Sequence, residues 1–105
     1  PVFLNQRQKA WDSAVKADLR NAATAEETVY TEDASYTTVL ADLQGAGFKL
    51  SDKGNYFGDD LANFKVISAD AEGFCVQGQS KSEEFWSYNS GPGASGIVQA
   101  ACVAP

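Results

Sequence analysis

The sequence contains no histidine and no methionine, and only two cysteines and three prolines among its 105 residues. Without histidine it lacks the commonest general acid/base, the commonest metal ligand and any histidine-based catalytic triad. We therefore expect neither an enzyme nor a bound cofactor. No stretch reaches the about 18–20 apolar residues of a membrane-spanning helix, and no signal peptide is recognisable.

Basic residues are also scarce, with eight Lys and Arg against fourteen Asp and Glu, which gives a net charge of −6. This balance argues against a nucleic-acid partner, because such binding rests on neutralisation of phosphates by Lys and Arg. Charges balance within residues 1–30, so the whole acidic surplus lies in residues 31–105. This division predicts two regions with different neighbours, although an acidic surface is also simply a soluble one.

The first region is predicted to be one helix over residues 1–30, because residues 2–30 contain no Gly or Pro and many alanines. At about 100° per residue, its apolar side chains form one stripe that should pack on the second region. Glu26 interrupts this stripe and needs a partner if it is buried. The predicted helix–sheet core comprises Trp11, Val15, Leu19, Ala22 and Val29.

Small side chains line an adjacent face of the same helix. Small residues allow another helix to approach closely, which predicts an interface with a helix outside this chain. The helix propensity of alanine alone gives the same pattern. Phe3 and Leu4 are added to this interface because they lie at the extreme end of the helix, far from any core. The predicted interface thus consists of Phe3, Leu4, Ala10, Ala14, Ala17 and Ala25.

The second region is predicted to contain a connector over residues 31–63, without regular structure except for one helical turn, followed by a sheet. Residues 64–69, 73–80 and 85–89 are rich in aromatic and β-branched residues and are separated by gaps of hairpin length. The expected fold is a single α+β domain over residues 1–105, with the helix packed on a small antiparallel sheet of three or four strands.

The two cysteines, Cys75 and Cys102, have neither the additional ligands of a zinc site nor the C-x-x-C spacing of a redox motif. A disulfide is favoured, and two buried free thiols are the alternative. A disulfide closes a C-terminal loop and implies an oxidising compartment.

This layout resembles that of a type IV pilin. Residues 1–27 are similar to the stretch that follows the apolar N-terminal segment of bacterial pilins and pseudopilins. Residues 74–76 and 85–88, together with Cys102, are similar to the pilin sheet and its disulfide-bounded loop. The resemblance covers most of the chain and is most specific over its first thirty residues.

The resemblance implies a structural subunit of a type IV pilus, an extracellular filament on the bacterial cell surface. Its partners would be copies of itself, other pilins and the membrane-bound assembly machinery, and its precursor would lie in the cytoplasmic membrane. The alanine face would then contact neighbouring subunits. The family's apolar N-terminal segment is missing before Pro1, so we expect this sequence to be a trimmed, soluble and monomeric piece.

A pseudopilin of a type II secretion system is the nearest alternative, and that group typically carries calcium in the connector. Four residues with oxygen-bearing side chains within nine positions suit calcium by chemistry, although an exposed acidic loop has the same composition. These candidate ligands are Asp52, Asn55, Asp59 and Asp60. The cysteine pair favours a true pilin.

Three further alternatives remain. A filament subunit that binds single-stranded DNA needs a basic stripe with aromatic neighbours, which the acidic second region does not offer. A hydrolase built on Lys81 and its flanking serines competes with a simple turn. A secreted binding or adhesion module could use Trp86 and Tyr88, although their shared face favours the core.

Overall fold

A computed structural model describes residues 2–91 and 96–103 of the chain. It confirms the α+β arrangement, with a long N-terminal helix packed on an antiparallel sheet and a C-terminal disulfide. The elements in chain order are α1 (Val2–Asp33), α2 (Leu40–Gly45), β1 (Phe64–Ala69), β2 (Phe74–Gln79), β3 (Phe85–Asn89) and β4 (Gly96–Val98). Three short 3₁₀ helices precede β1, at Lys53–Asn55, Phe57–Asp59 and Leu61–Asn63.

Helix α1 has 32 residues, which at 1.5 Å per residue correspond to about 48 Å. The longest dimension of the molecule is also 48 Å, so the helix is long enough to span it. From Val15 onward its inner face is buried against the sheet and the connector, with Leu19, Ala22 and Val29 in the same core. Within the described residues, neither helix is long and apolar enough to cross a membrane.

The four strands form one antiparallel sheet in the order β1-β2-β3-β4. Val76 is paired with Tyr88 and Gly78 with Trp86, so these residues share the face toward α1. Gly78 allows the helix to lie close, because an added Cβ there would be 2.8 Å from Cγ1 of Val15. Trp86 and Tyr88 are half-buried against the core, on the side that their alternation indicates.

The connector is more regular than the sequence indicates. Helix α1 continues to Asp33, and residues 31–63 also contain α2 and the three 3₁₀ helices. The connector contributes Leu43, Phe48 and Tyr56 to the buried core. The predicted helical turn corresponds to α2, and the three 3₁₀ helices are added to it, because burial against α1 orders turns whose local sequence signal is weak.

Candidate assembly surface

The N-terminal part of α1 extends beyond the packed core. The first fully buried side chain described on this helix is that of Val15. Before it, Leu4 is 48% exposed, Ala10 is exposed and Ala14 is half-buried, and Ala17 on the same face is also exposed. We call Leu4, Ala10, Ala14 and Ala17 the helix surface. The sequence also predicts Phe3 at this interface, but its side chain lies outside the described part of the structure.

Two sequence expectations for α1 need correction. Ala25 is only 3% exposed and belongs to the core, where it shares a groove with Ala46 and Phe48 of the connector. The small side chain of Ala25 therefore serves a close approach within the chain, and it is not free for a neighbouring subunit. Trp11 is half-buried and lies outside the cluster of core residues, because the core begins one helical turn later, at Val15.

Buried carboxylates on α1 fasten other segments to it, which the sequence analysis missed. Asp18 accepts hydrogen bonds from the hydroxyl of Ser51 at 2.7 Å and from that of Tyr56 at 2.6 Å. The backbone N–H of Ser51 also donates to this carboxylate. Burial, followed by the hydrogen bond to Asp18, raises the pKa of Tyr56. The only sequence signal was an acidic residue beside the apolar stripe.

Asp12 performs the same role at the turn between β2 and β3. Its Oδ1 accepts hydrogen bonds from the hydroxyls of Ser80 and Ser82, each at 2.6 Å. The ammonium group of Lys81 lies 2.6 Å from a carboxylate oxygen of Asp59 and lowers the pKa of that carboxyl. The two serines and the lysine of the suggested hydrolase dyad are thus engaged with carboxylates of other segments.

Glu26 fastens the start of the connector and is fully buried, with 0% exposure. One of its oxygens accepts a hydrogen bond from the N–H of Thr37 at 2.9 Å. The other oxygen has no hydrogen-bond partner within the described part of the chain. Burial raises the pKa of Glu26, and the neighbouring carboxylates of Glu27 and Asp42 act in the same direction, against the hydrogen bond from Thr37.

Beside Glu26, Glu27 accepts a hydrogen bond from the hydroxyl of Tyr36 at 2.9 Å. This bond, supported by desolvation, raises the pKa of Tyr36 to about 12. The ring of Tyr36 lies between those of Tyr30 and Phe74, at centroid distances of 4.8 and 5.0 Å. Tyr36, which follows the end of α1, is therefore held by two ring contacts and by the hydrogen bond of its hydroxyl to Glu27.

The disulfide between Cys75 and Cys102 is confirmed, with 6.0 Å between the Cα atoms. It joins the C-terminal segment to β2, and the N–H of Cys102 also donates to the side-chain oxygen of Gln77 at 3.0 Å. Cys75 and Gln77 lie on the sheet face opposite to Val76, as the alternation of the strand predicts. The disulfide therefore covers the outer face of the sheet.

The four calcium candidates are not arranged as a site. Asp52, Asp59 and Asp60 are all exposed, and Asp59 is paired with Lys81. Asp60 accepts a hydrogen bond from the N–H of Ala62, and the amide of Asn55 donates to Ser51. Across residues 2–91 and 96–103, no group of three or more His, Cys, Asp or Glu residues could hold a metal ion. The arrangement is that of an exposed acidic loop, which is the alternative that the composition of these residues also allows.

A groove of about 460 Å³ runs along α1 on the side of β3 and β4. Its lining residues are Arg20, Ala23, Thr24, Glu27, Tyr88 and Ile97. One turn before Arg20, the ammonium group of Lys16 lies 4.3 Å from the ring centroid of Trp86, a cation–π contact. Arg20 and Glu27 give the lining one charge of each sign, and we call this region the helix–sheet groove.

No known protein-family model matches the chain, and comparison with curated proteins finds no significant match. The functional argument therefore rests on the residues and on their geometry. The features that suit contact with other macromolecules are the exposed helix surface, with its small side chains, and the helix–sheet groove.

Proposed function

We propose that this protein is a structural subunit of a type IV pilus and that the described chain forms its globular domain. The observation that carries this proposal is the division of α1 into two parts. From Val15 onward the helix is held by the sheet and the connector, whereas its first turns expose Leu4 and Ala10. This exposed end of α1 is therefore accessible to the helix of a neighbouring subunit.

In this proposal the helix surface contacts the corresponding helices of neighbouring subunits, and the sheet faces outward. The small side chains of Ala10 and Ala17 permit a close helix–helix approach. The acidic surplus of residues 31–105 then lies on the outside, where charges stay hydrated. The disulfide is compatible with an extracytoplasmic filament, and the proposed partners are copies of this subunit, other pilins and the assembly machinery in the membrane.

The same layout would serve a pseudopilin, which is the alternative within this class. The disulfide, together with the engagement of Asp59 by Lys81 in place of a metal ion, favours the pilin. A free secreted binding module is the alternative from another class. That alternative does not account for the exposed end of α1, whereas the pilin does.

The experiment that tests the proposal is to determine the natural gene product upstream of Pro1. We expect an apolar run of about 20 residues with an acidic residue near its start, which forms one continuous helix with α1. A conventional cleavable signal peptide directly before Pro1 would contradict the proposal. It would leave a free secreted domain and would make the exposed end of α1 a terminus without an assembly role.

A further inference from the structure

One charged side chain lies within the helix surface. At about 100° per residue, Arg7 is placed between Leu4 and Ala14 around the helix, and it is exposed. The positions three and four residues away, where an ion pair within the helix would form, hold no acidic residue on either side. Across residues 2–91 and 96–103, the ion pair formed is that of Lys81 with Asp59, so Arg7 has no acidic partner there. Burial of this surface between subunits therefore requires a carboxylate from another molecule, because an unpaired charge is costly to bury.

The other end of α1 offers carboxylates in a concave setting. A pocket of about 300 Å³ lies between the end of α1 and α2. Three carboxylates line it, those of Glu32, Asp33 and Asp42, together with small and apolar residues of both helices. The described lining includes no Lys or Arg, and residues 21–48 contain five acidic residues and no basic one. We call Glu32, Asp33 and Asp42 the acidic pocket.

A buried carboxylate adds to the negative charge beside this pocket. Thr37 joins the two, because its N–H donates to Oε1 of Glu26 at 2.9 Å and its hydroxyl donates to Asp42 at 2.8 Å. Glu26 is fully buried, and its Oε2 has no hydrogen-bond partner among the residues that the structure describes. The charged groups that raise its pKa are the carboxylates of Glu27 and Asp42. The negative charge at this corner therefore calls for a cation from outside the chain.

Helix stability does not account for the acidic residues at the end of α1. The helix ends in Glu32 and Asp33, and its last turn contains no basic residue. The C-terminal end of a helix dipole is negative, so it favours cations and disfavours these two carboxylates. A cation bound in the acidic pocket would offset both the dipole and the carboxylate charges.

We propose that Arg7 of one subunit binds in the acidic pocket of a second copy of this chain. A guanidinium suits the pocket, because its planar set of donors can bind carboxylates in two directions at once. The contact joins two different ends of α1, so it propagates head to tail and does not close a dimer. The inference rests on the proposed pilus function and deepens it by naming the charged groups that meet between subunits.

The contact also sets a distance between neighbouring copies. Arg7 and Asp33 are 26 residues apart on α1, so two copies joined in this way would be displaced by about 39 Å along the helix axis. The exposed first turns of one helix would then lie beside the last turn of the next.

The test is cross-linking between two populations of the isolated chain, with thiols placed next to the proposed contact. Ala10→Cys lies one turn from Arg7, and Ala41→Cys lines the acidic pocket without replacing a carboxylate. Both native cysteines are already paired, so a short bismaleimide joins only the added thiols. The matched control for Ala41→Cys is Thr31→Cys, which is exposed at the same end of α1 but does not line the pocket.

We expect the Ala10→Cys and Ala41→Cys pair to cross-link about tenfold faster than the Ala10→Cys and Thr31→Cys pair, which is the scale of electrostatic steering at low salt. Adding Arg7→Glu to the Ala10→Cys chain should abolish this advantage. Lys9→Glu makes the same change of charge on another side of the helix and should leave the advantage in place.

Reversal of the pocket charge tests the pairing directly. Glu32→Lys together with Asp33→Lys in the Ala41→Cys chain should restore the advantage to the Arg7→Glu chain, because the charges are exchanged across the contact. Lysines in the last turn also suit the helix dipole, so this chain should keep its fold.

Equal rates for the two pairs would overturn the inference, as would an advantage that survives Arg7→Glu or that Lys9→Glu also abolishes. Faster cross-linking of Ala10→Cys with itself would overturn it too, because that result indicates a closed dimer through like faces. An apolar segment upstream of Pro1 combined with equal rates removes this contact and leaves the pilus proposal standing. The two failures are therefore distinguishable.

Discussion

At Glu26, helix α1 places a carboxylate where its periodicity favours an apolar side chain. Asp12 and Asp18 are two further carboxylates on this helix. Each of the three accepts hydrogen bonds from a different segment of the chain. The apolar stripe of a helix is tolerant of sliding and rotation, whereas a buried carboxylate must meet its donors to offset its lost hydration. These three residues therefore fix where each segment crosses the helix.

Only one oxygen of the buried Glu26 carboxylate accepts a hydrogen bond, which leads to a pH-dependent prediction for Glu26→Gln. Burial raises the pKa of Glu26, so the folded chain holds this proton to a higher pH than the unfolded chain does. The free energy of unfolding of the natural protein should therefore fall, relative to that of the variant, as the pH rises from the ordinary range of glutamate through the raised value. Glutamine keeps an oxygen for the N–H of Thr37 and carries no charge to bury.

The measurement is urea unfolding of both proteins across a series from about pH 4 to pH 8. The difference should grow in favour of the variant toward neutral pH. Glu32→Gln is the matched control, because Glu32 lies on the same helix and is exposed. A difference for Glu26→Gln that stays constant with pH, or that follows the control, would contradict the account.

At the scale of one element, α1 is a helix with two environments. Its C-terminal part contributes Leu19, Ala22 and Val29 to the core and carries the connector on Ala25. Its N-terminal part contacts the sheet region through Asp12 and leaves Leu4 exposed. The two parts share one helical backbone, but only one of them should contribute substantially to the stability of the isolated domain.

One substitution made at two positions of α1 tests this division. Leu19→Ala removes a fully buried side chain and should lower the free energy of unfolding by about 2–5 kcal/mol. Leu4→Ala removes an exposed side chain and should change it by less than about 0.5 kcal/mol. Chemical denaturation of the two variants measures both values. Similar losses at the two positions would mean that the exposed end of α1 is held by the domain after all.

The elements also show why some structure is readable from sequence and some is not. The bounds of β1 and β3 agree with the prediction, because alternating aromatic and β-branched residues are a local signal. The burial of Ala25 depends on a connector segment some twenty residues further along the chain, and periodicity within α1 contains no information about it. The Asp18–Tyr56 hydrogen bond spans 38 residues and was equally hidden. Glu26, in contrast, gave a visible signal by interrupting the stripe.

The exposure of the residues in the candidate surface could be predicted in part for the same reason. Helical spacing places Ala10, Ala14 and Ala17 on one face, and the structure leaves that face exposed or half-buried. The calcium candidates are close in sequence, but the backbone between them forms successive 3₁₀ helices. Asp59 is paired with Lys81, which lies in the turn between β2 and β3. Proximity along the chain is a weak guide to ligand geometry where the backbone changes direction repeatedly.

At the scale of the whole molecule, the proposed pilus function makes the packed core and the exposed helix surface depend differently on assembly. The core closes within one chain through the sheet, the connector and the disulfide. In the proposed filament, the helices of neighbouring subunits would bury the helix surface. The isolated domain and the assembled subunit should therefore differ at this surface and agree elsewhere.

Thiol accessibility in assembled filaments of the full-length protein tests this distinction. Ala17→Cys lies on the helix surface, and Glu72→Cys lies in the turn between β1 and β2; both positions are exposed in the isolated chain. Because both cysteines of residues 1–105 are paired, each substitution adds one reactive thiol to this part of the protein. In the isolated chain both should react readily with a bulky maleimide. In filaments, Ala17→Cys should lose most of its reactivity through burial between helices, whereas Glu72→Cys should retain it. Equal labelling of the two sites in intact filaments would place the helix surface on the outside and would contradict its role in assembly.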